Sequence, residues 1–571
     1  MKLFPAGRFR PRILELFDGR YRREQLFADI GAGITVGLIA LPLALALGVA
    51  SVPVGAATPF PPPAVGLFTA ILAGLVVSCF GGSRVQIAGP TAAFMPIVLL
   101  VIERYGYEGL LLATMMAGAI LIAMGLARLG TLIKFIPYPV TSGFTTGIAI
   151  SIGMSQAADF LGIKTADPAP REFLAKVGWL GRHLGDANPW AAAIAITSGL
   201  LIAAWPRLGW RRVPGMVVAM VLATIAATVL GWPHLHALGT LGARFGAQAI
   251  PSRLPPLAWP VVTLGRVREL IAPAVTIAVL GSIESLLSAV VADGLIDDRH
   301  DANTELIAQG LANIVCPLFC GLPATGAIAR TSANVRTGGR TPVAGIVHAL
   351  TLLLIVLAFS RYAQFVPMAA IAAVLVMVAV RMGEWHELAR LRQMPRSDAA
   401  VLLATLSLTV IFDLVVAVEV GMVLAAILFI RRVAETTEVS AVTTDDELES
   451  PEQMAHGKDI PEGVLAYRIF GPFFFGAAEK MEDALQRMER LPRVLILRLH
   501  LVPAMDATAL NALESVVERM QAAGGTVVLS GPHRQPLQML EKAGFIEKIG
   551  RANIQANFDE ALGRAREILR G

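Results

Sequence analysis

Long uncharged apolar stretches constrain the fold of this chain more than any other feature. Four of them, at 30–53, 110–126, 189–206 and 343–360, contain no Asp, Glu, Lys or Arg. They approach or reach the roughly 17–25 residues that cross about 30 Å of hydrocarbon. With 55% hydrophobic and 16% charged residues, a soluble protein of 571 residues would expose more apolar surface than its interior could hide. The chain is therefore predicted to be an α-helical polytopic protein embedded in a lipid bilayer.

The sequence contains about fourteen candidate crossings at roughly 20 residues per span, if short half-helices are allowed. Their predicted starts are Ala28, Ala64, Pro90, Glu108, Thr131, Pro189, Val213, Leu270, Asn303, Ala324, Thr341, Val366, Asp398 and Leu414. Lys and Arg concentrate before the first span and in the even-numbered connections, so the positive-inside rule places both termini in the cytoplasm. We expect the cytoplasmic (inner) membrane. The net charge of +5 is explained by this topology, and no nucleic-acid partner is expected.

The composition changes after Arg432, where acidic and hydroxyl residues replace large apolar ones. We expect a cytoplasmic segment at 1–27, a membrane domain at 28–433, a linker at 434–460 and a small cytoplasmic α/β domain at 461–571. In the last of these, predicted strands alternate with predicted helices. The strands are 464–469, 494–499 and 526–530, and the helices are 477–489 and 507–521.

Two apolar segments are interrupted by Gly and Pro at corresponding places in the two halves of the chain. They are Gly89-Pro90-Thr91, followed by small residues, and the stretch 322–330. Each unpaired backbone group in hydrocarbon costs several kcal/mol, so broken helices persist only where protein or a hydrated cavity covers them. Such a pair is the best sequence-level sign of a transporter's binding site. Pro90 also suits a first helical position, where exposed N–H groups bind anions.

Arg330 and Glu284 are the two unusual charged residues within the predicted spans. A helix terminus offers an anion about 0.3–1 kcal/mol, whereas taking a carboxylate out of water costs several kcal/mol. A cation is therefore needed, and we expect Arg330 to supply it; the alternative is that Arg330 pairs with a carboxylate on a neighbouring helix. Glu284 in mid-membrane costs about 2.5–3.5 kcal/mol, so a functional role is the default. We predict that it is the proton-coupling residue.

Further residues are expected at the substrate-binding site because they are polar or small and flank the two breaks. They are Gln86, Thr91, Ala92, Thr325, Ala327 and Ala329. Gln86 has an interfacial capping role as an equal alternative, and Thr is also an ordinary residue at a helix start. His348 is interpreted as a hydrogen-bonded helix residue rather than a proton relay.

No enzyme or cofactor is indicated. The three cysteines, Cys79, Cys316 and Cys320, form neither a disulfide framework nor a zinc site. The sequence has no Gly-x-Ser-x-Gly, His-Glu-x-x-His or P-loop motif. We therefore predict that the protein is not an enzyme and binds no cofactor or metal.

Several blocks in fixed order make the chain similar to the sulfate permease (SulP) family, and its terminal unit resembles a STAS domain. The blocks are 29–37, 40–42, 89–91, 281–287, 308–313 and 329–336. Within the family, residues 284–294 and 327–330 are most similar to the bacterial C4-dicarboxylate (succinate) transporter branch.

The resemblance implies about fourteen transmembrane helices in a seven-plus-seven inverted repeat. Spans one to four and eight to eleven would form a core bundle that carries the site, held by a gate bundle. The implied function is elevator-like secondary active transport of an anion, with proton-coupled uptake of succinate or fumarate. Leu43 replaces a Gln that many relatives carry after Pro42, which favours such a larger, partly apolar anion.

Other interpretations remain open at this stage. One is sodium-coupled or exchange transport of a small inorganic anion, sulfate or bicarbonate, with Ser288 as a possible sodium ligand. A more remote one is a membrane-anchored signalling scaffold. In the STAS-like domain, Ala507 occupies the position of a phosphorylated Ser and cannot accept phosphate. We therefore expect that domain to contribute to homodimer contacts, to trafficking or to partner binding.

Overall fold

The computed structural model describes residues 9–18, 21–53, 55–131, 137–165, 167, 169–170, 172–208, 213–230, 239–246, 248–253, 255–412, 414–441, 460–474, 480–481 and 491–570. The chain forms two compact units, Met1–Met422 and Val423–Gly571. The first unit is helical and apolar, and the second is an α/β domain.

A helix lies at or shortly after each predicted span start. Among the described residues, six helices are long and apolar enough to cross a membrane, and two shorter ones, α8 and α14, are also apolar. The helices of this part of the chain are α1 (Arg23–Ser51), α2 (Pro62–Phe80), α3 (Met95–Leu126), α4 (Tyr138–Ser155), α5 (Ala157–Leu161), α6 (Phe173–Arg182), α7 (Pro189–Ala204), α8 (Gly215–Leu230), α9 (Leu241–Phe245), α10 (Leu264–Ile296), α11 (Ala302–Leu318), α12 (Ile328–Arg336), α13 (Pro342–Phe359), α14 (Met368–Met382), α15 (Trp385–Ala389), α16 (Arg396–Ile411) and α17 (Leu414–Thr436). The third and fourth predicted spans are joined in α3, where Gly106 breaks the helix with a φ of 73°.

The membrane helices pack as two groups. Helices α1, α2, α3, α10, α11, α12 and α13 contact one another, and α4, α7, α8, α14 and α16 form a second set. These sets correspond to the expected core and gate bundles. Glycine allows the closest approach within the core: a Cβ at Gly118 of α3 would lie 2.6 Å from the carbonyl oxygen of Gly310 in α11, and the reverse distance is also 2.6 Å. Small residues at such contacts are how helices associate in lipid.

Asp29 joins the start of α1 to the start of α13. Its side chain is fully buried. It accepts hydrogen bonds from Tyr21 Oη at 3.0 Å, Arg340 N at 2.7 Å and Thr341 Oγ1 at 2.6 Å. The carboxylate thus satisfies backbone and hydroxyl donors at the N-terminus of α13, where a negative charge is favoured.

The second unit contains a five-stranded sheet in the order β3-β4-β5-β6-β7. The strands are β3 (Glu438–Ala441), β4 (Val464–Phe470), β5 (Val494–Arg498), β6 (Thr526–Ser530) and β7 (Ile554–Gln555), and the helices are α18 (Ala507–Ala522), α19 (Arg534–Lys542), α20 (Phe545–Ile549) and α21 (Phe558–Arg570). Only β3 is antiparallel to its neighbour. Every residue of β5 is buried, as expected for a central parallel strand. The predicted helix at 477–489, apart from 480–481, and most of the predicted linker lie outside the described residues.

Candidate functional site

The two broken segments meet in the core bundle as a short antiparallel strand pair. Strand β1 (Ala88–Gly89) follows α2, and strand β2 (Thr325–Gly326) precedes α12. Ala88 pairs with Gly326 and Gly89 with Thr325, and Ala327 N donates to Ile87 O at 2.8 Å. The pairing satisfies backbone groups that would otherwise be stranded in hydrocarbon. It also brings the two predicted half-helix starts together.

Helical structure begins beside the strand pair on both sides without a side-chain cap. Thr91 is extended (φ −124°, ψ 156°) before a short 3-10 turn that leads into α3, and Ala327 is extended (φ −103°, ψ 107°) before α12. Neither position caps its helix through a side chain, so Thr91 does not serve as the helix cap that its residue type allows. Ala92 and Ala327 are buried, whereas Ala329 is exposed on the first turn of α12. Uncapped N–H groups at a helix start can bind an anion.

Arg330 lies next to the strand pair with only 2% of its surface exposed. Its Nη2 donates to Pro90 O at 2.8 Å, and its Nη1 has no hydrogen-bond partner. The guanidinium lies so close to Gly89 that a Cβ there would be 2.2 Å from Nη1. No carboxylate among the described residues pairs with Arg330, so the alternative role in an ion pair with a neighbouring helix is not observed. A buried cation with a free N–H group is the partner that an anion requires.

Glu284 reaches the same place from α10. Its Oε2 accepts a hydrogen bond from Thr91 Oγ1 at 2.8 Å, and both side chains are partly exposed. Arg330 and Glu284 therefore contact consecutive residues, Pro90 and Thr91, without forming an ion pair with each other. A carboxylate here occupies a position beside the uncapped start of the first half-helix.

Gln86 and Thr325 are buried behind the strand pair. Gln86 Nε2 donates to Ser285 O at 3.1 Å, while Thr325 Oγ1 lies 2.8 Å from Ser285 Oγ, which also accepts from Gly326 N at 3.1 Å. Ser285 was not predicted as a site residue, although it lies in the 281–287 block and directly follows Glu284. It holds β2 against α10, and both Gln86 and Thr325 bond to it.

The Ser288 hydroxyl bonds to α12 rather than to the Glu284 carboxylate. Ser288 is fully buried, and its hydroxyl donates to Thr331 Oγ1 at 3.2 Å. Thr331 Oγ1 in turn accepts from Ile87 N at 3.1 Å. Ser288 thus contributes to the hydrogen bonds that hold Ile87, the residue before β1, against α12.

His348 is fully buried against Gly74. The packing corrects one further expectation. Leu43 packs in an apolar cluster with Ile202 and Ala219 of gate helices. Its side chain therefore says nothing about the size of the anion, and that argument for a larger substrate fails.

The model of the sulfate permease family matches residues 26–405, and that of the STAS domain matches residues 458–561. The chain belongs to the sulfate permease family. It is a multi-pass membrane protein and an anion transporter of that family.

The relatives cover nearly the whole chain. This chain is 39% identical to "Putative sulfate transporter YvdB" of Bacillus subtilis (strain 168), over 96% of this chain and 100% of the relative. It is 32% identical to the bicarbonate transporter BicA of Picosynechococcus sp. (strain ATCC 27264 / PCC 7002 / PR-6), over 94% of each chain. These relatives are named for sulfate or bicarbonate, and neither name supports the expected C4-dicarboxylate branch.

Two solved structures share the fold. The transmembrane domain of a cyanobacterial bicarbonate transporter BicA has a TM-score of 0.59 at 30% identity, covering 71% of this chain and 98% of that chain. The murine Slc26a9 anion transporter in the inward-facing state has a TM-score of 0.83 at 16% identity, covering 99% of this chain and 96% of that chain. The second likeness extends through the STAS domain and concerns the fold alone.

Proposed function

We propose that this protein carries a small inorganic anion, with bicarbonate as the first candidate and sulfate as the second. The observation that carries the proposal is the buried Arg330 guanidinium, whose free Nη1 lies beside two uncapped half-helix starts. One cation and two helix termini suit an anion with a single negative charge. Every additional charge taken from water costs several kcal/mol, and no second buried Lys or Arg accompanies Arg330 at the described strand pair. The names of YvdB and BicA support the same class.

A C4-dicarboxylate fits this arrangement less well. It carries two carboxylates, whereas the described strand pair offers a single buried cation, Arg330. The dicarboxylate thus becomes a competitor to be tested rather than the preferred substrate.

We further propose that Glu284 couples transport to protons. When ionised, its carboxylate accepts the Thr91 hydrogen bond and occupies the start of the first half-helix. Protonation removes that charge, so an anion can enter beside Arg330 without electrostatic repulsion. The alternative in which Ser288 binds sodium is tested by the imposed sodium gradient described below. Both termini in the cytoplasm, an inner-membrane location and a homodimer partly joined through the STAS domain complete the proposal.

Uptake into proteoliposomes tests these points. Labelled bicarbonate, sulfate, succinate and fumarate would be compared with an imposed proton gradient, an imposed sodium gradient and neither. We expect an inorganic anion to accumulate with the proton gradient, and Arg330→Ala at equal reconstitution to abolish uptake. Preferred accumulation of succinate would restore the dicarboxylate hypothesis. Uptake driven by sodium alone would contradict the coupling role of Glu284.

A further inference from the structure

An apolar groove of about 380 Å³ lies between the core and gate bundles. Core helices α1, α2 and α13 line one side through residues such as Leu45, Leu67 and Val356, and gate helix α8 lines the other through Val221 and Ile225. The side chains that line it include no charged group. Its volume falls in the range of small-molecule sites. The anion site described above contributes no residue to it.

The mouth of this groove is polar and positively charged. Ser252 Oγ and Ser360 Oγ lie 2.7 Å apart, and the residue after each is an exposed arginine, Arg253 and Arg361. The Arg361 guanidinium lies 4.9 Å from the centre of the Tyr362 ring, and its Nη2 donates to Tyr362 Oη at 2.8 Å. Tyr362 itself lines the groove. The Arg361 guanidinium is therefore held at the mouth of the groove.

No carboxylate among the described residues forms an ion pair with Arg253 or Arg361. A nearby basic residue differs: Arg244 of α9 pairs with Asp159 at 2.9 Å and is neutralised. The two mouth arginines thus offer an uncompensated positive charge, and Arg361 presents the planar donor geometry that suits phosphate.

The side chains around the groove indicate that its ligand comes from the lipid bilayer. Val221, Ile225 and Phe359 are 49%, 51% and 60% exposed in the isolated chain, as expected for side chains that face bilayer hydrocarbon. Tyr362 at the mouth suits the membrane interface, where one end of an aromatic ring is apolar and the other is wet. An occupant must therefore combine a hydrocarbon tail with an anionic head.

We propose that this groove is a binding site for an anionic glycerophospholipid, with one acyl chain between the bundles and the phosphate at Arg253 and Arg361. Such a lipid contacts core helices and a gate helix at once. It consequently influences how readily the two bundles move past each other.

Lipid retention tests the site independently of transport. The full chain would be equilibrated with a mixture of phosphatidylglycerol and phosphatidylcholine in detergent and purified, and its bound lipids would be counted by mass spectrometry. We expect phosphatidylglycerol to be enriched in the wild type. Enrichment should fall about fivefold for each of Arg253→Gln and Arg361→Gln, the equivalent of about 1 kcal/mol per basic residue near an anionic lipid. The corresponding Lys variants should retain most of the enrichment.

Arg266→Gln is the matched control, because Arg266 is an exposed arginine already paired with Glu108 at 3.0 Å. It should leave enrichment unchanged. Val221→Trp, which places a large ring in the groove, should displace the lipid while the arginines remain. Equal retention of the two lipids by the wild type would overturn the proposal. An equal loss in Arg266→Gln would overturn it too, by showing general surface attraction.

Discussion

Gly89→Ala provides a sharp test of the anion site because the new methyl group meets Arg330 almost alone. A Cβ at position 89 would lie 2.2 Å from Arg330 Nη1, whereas the next contact, Ala70 Cα at 3.4 Å, is an ordinary one. The guanidinium is the far end of a flexible side chain, so it moves while the backbone stays. We therefore expect the fold to persist and the free N–H group to be displaced.

The expected loss is that of one charge-assisted hydrogen bond between Nη1 and the anion. Such bonds contribute about 1.5–3 kcal/mol, which converts to an increase in KM of about 10- to 150-fold. Initial uptake rates in proteoliposomes, over a range of anion concentrations, would measure it. Gly31→Ala is the control, since a Cβ there meets nothing within 4 Å. An unchanged KM in a correctly folded Gly89→Ala protein would refute the placement of the anion at Arg330.

Three further predictions follow from other contacts. Glu284→Gln keeps an oxygen that can accept from Thr91 but cannot ionise, so uptake should become insensitive to external pH; a wild-type pH profile would remove Glu284 from coupling. Asp29→Asn should destabilise the protein by about 2–4 kcal/mol, since a buried carboxylate with several donors is disrupted. Asp298→Asn, in a partly exposed ion-pair cluster, should cost less than about 1 kcal/mol. Equal losses of stability in thermal unfolding would contradict this ranking. Deletion of residues 461–571 should leave measurable transport in proteoliposomes, and complete loss would show that the STAS domain is required for the cycle.

The positions of the spans and of the two breaks could be predicted from the sequence because both depend on local rules. Apolar length sets a crossing, and Gly or Pro in an apolar run marks an interruption. Arg330 and Glu284 were recognisable for the same reason, since a charge in hydrocarbon is costly wherever it is. These features need no knowledge of which helix neighbours which.

The partners of those residues could not be predicted. The Thr91–Glu284 bond joins residues 193 positions apart, and its formation depends on the rotation of α10 against α3. Buried helices that are apolar on all sides have no amphipathic pattern from which that rotation can be read. The same limit explains why Leu43 was interpreted as evidence for a larger anion although it packs on the gate, and why Ser285 was missed.

The strand pair also constrains how the protein can be assembled in the membrane. One strand comes from each half of the chain, so while ribosomes are still translating the second half, Ala88 and Gly89 have no partner for their main-chain groups. More than 200 further residues must therefore be synthesised after Ala88 before the strand pair can form, since Gly326 pairs with Ala88. During that interval, water, lipid headgroups or the insertion machinery must provide hydrogen-bond partners for the main-chain groups of Ala88 and Gly89. Substitutions that slow synthesis between the halves should thus affect yield more than the mature protein's stability.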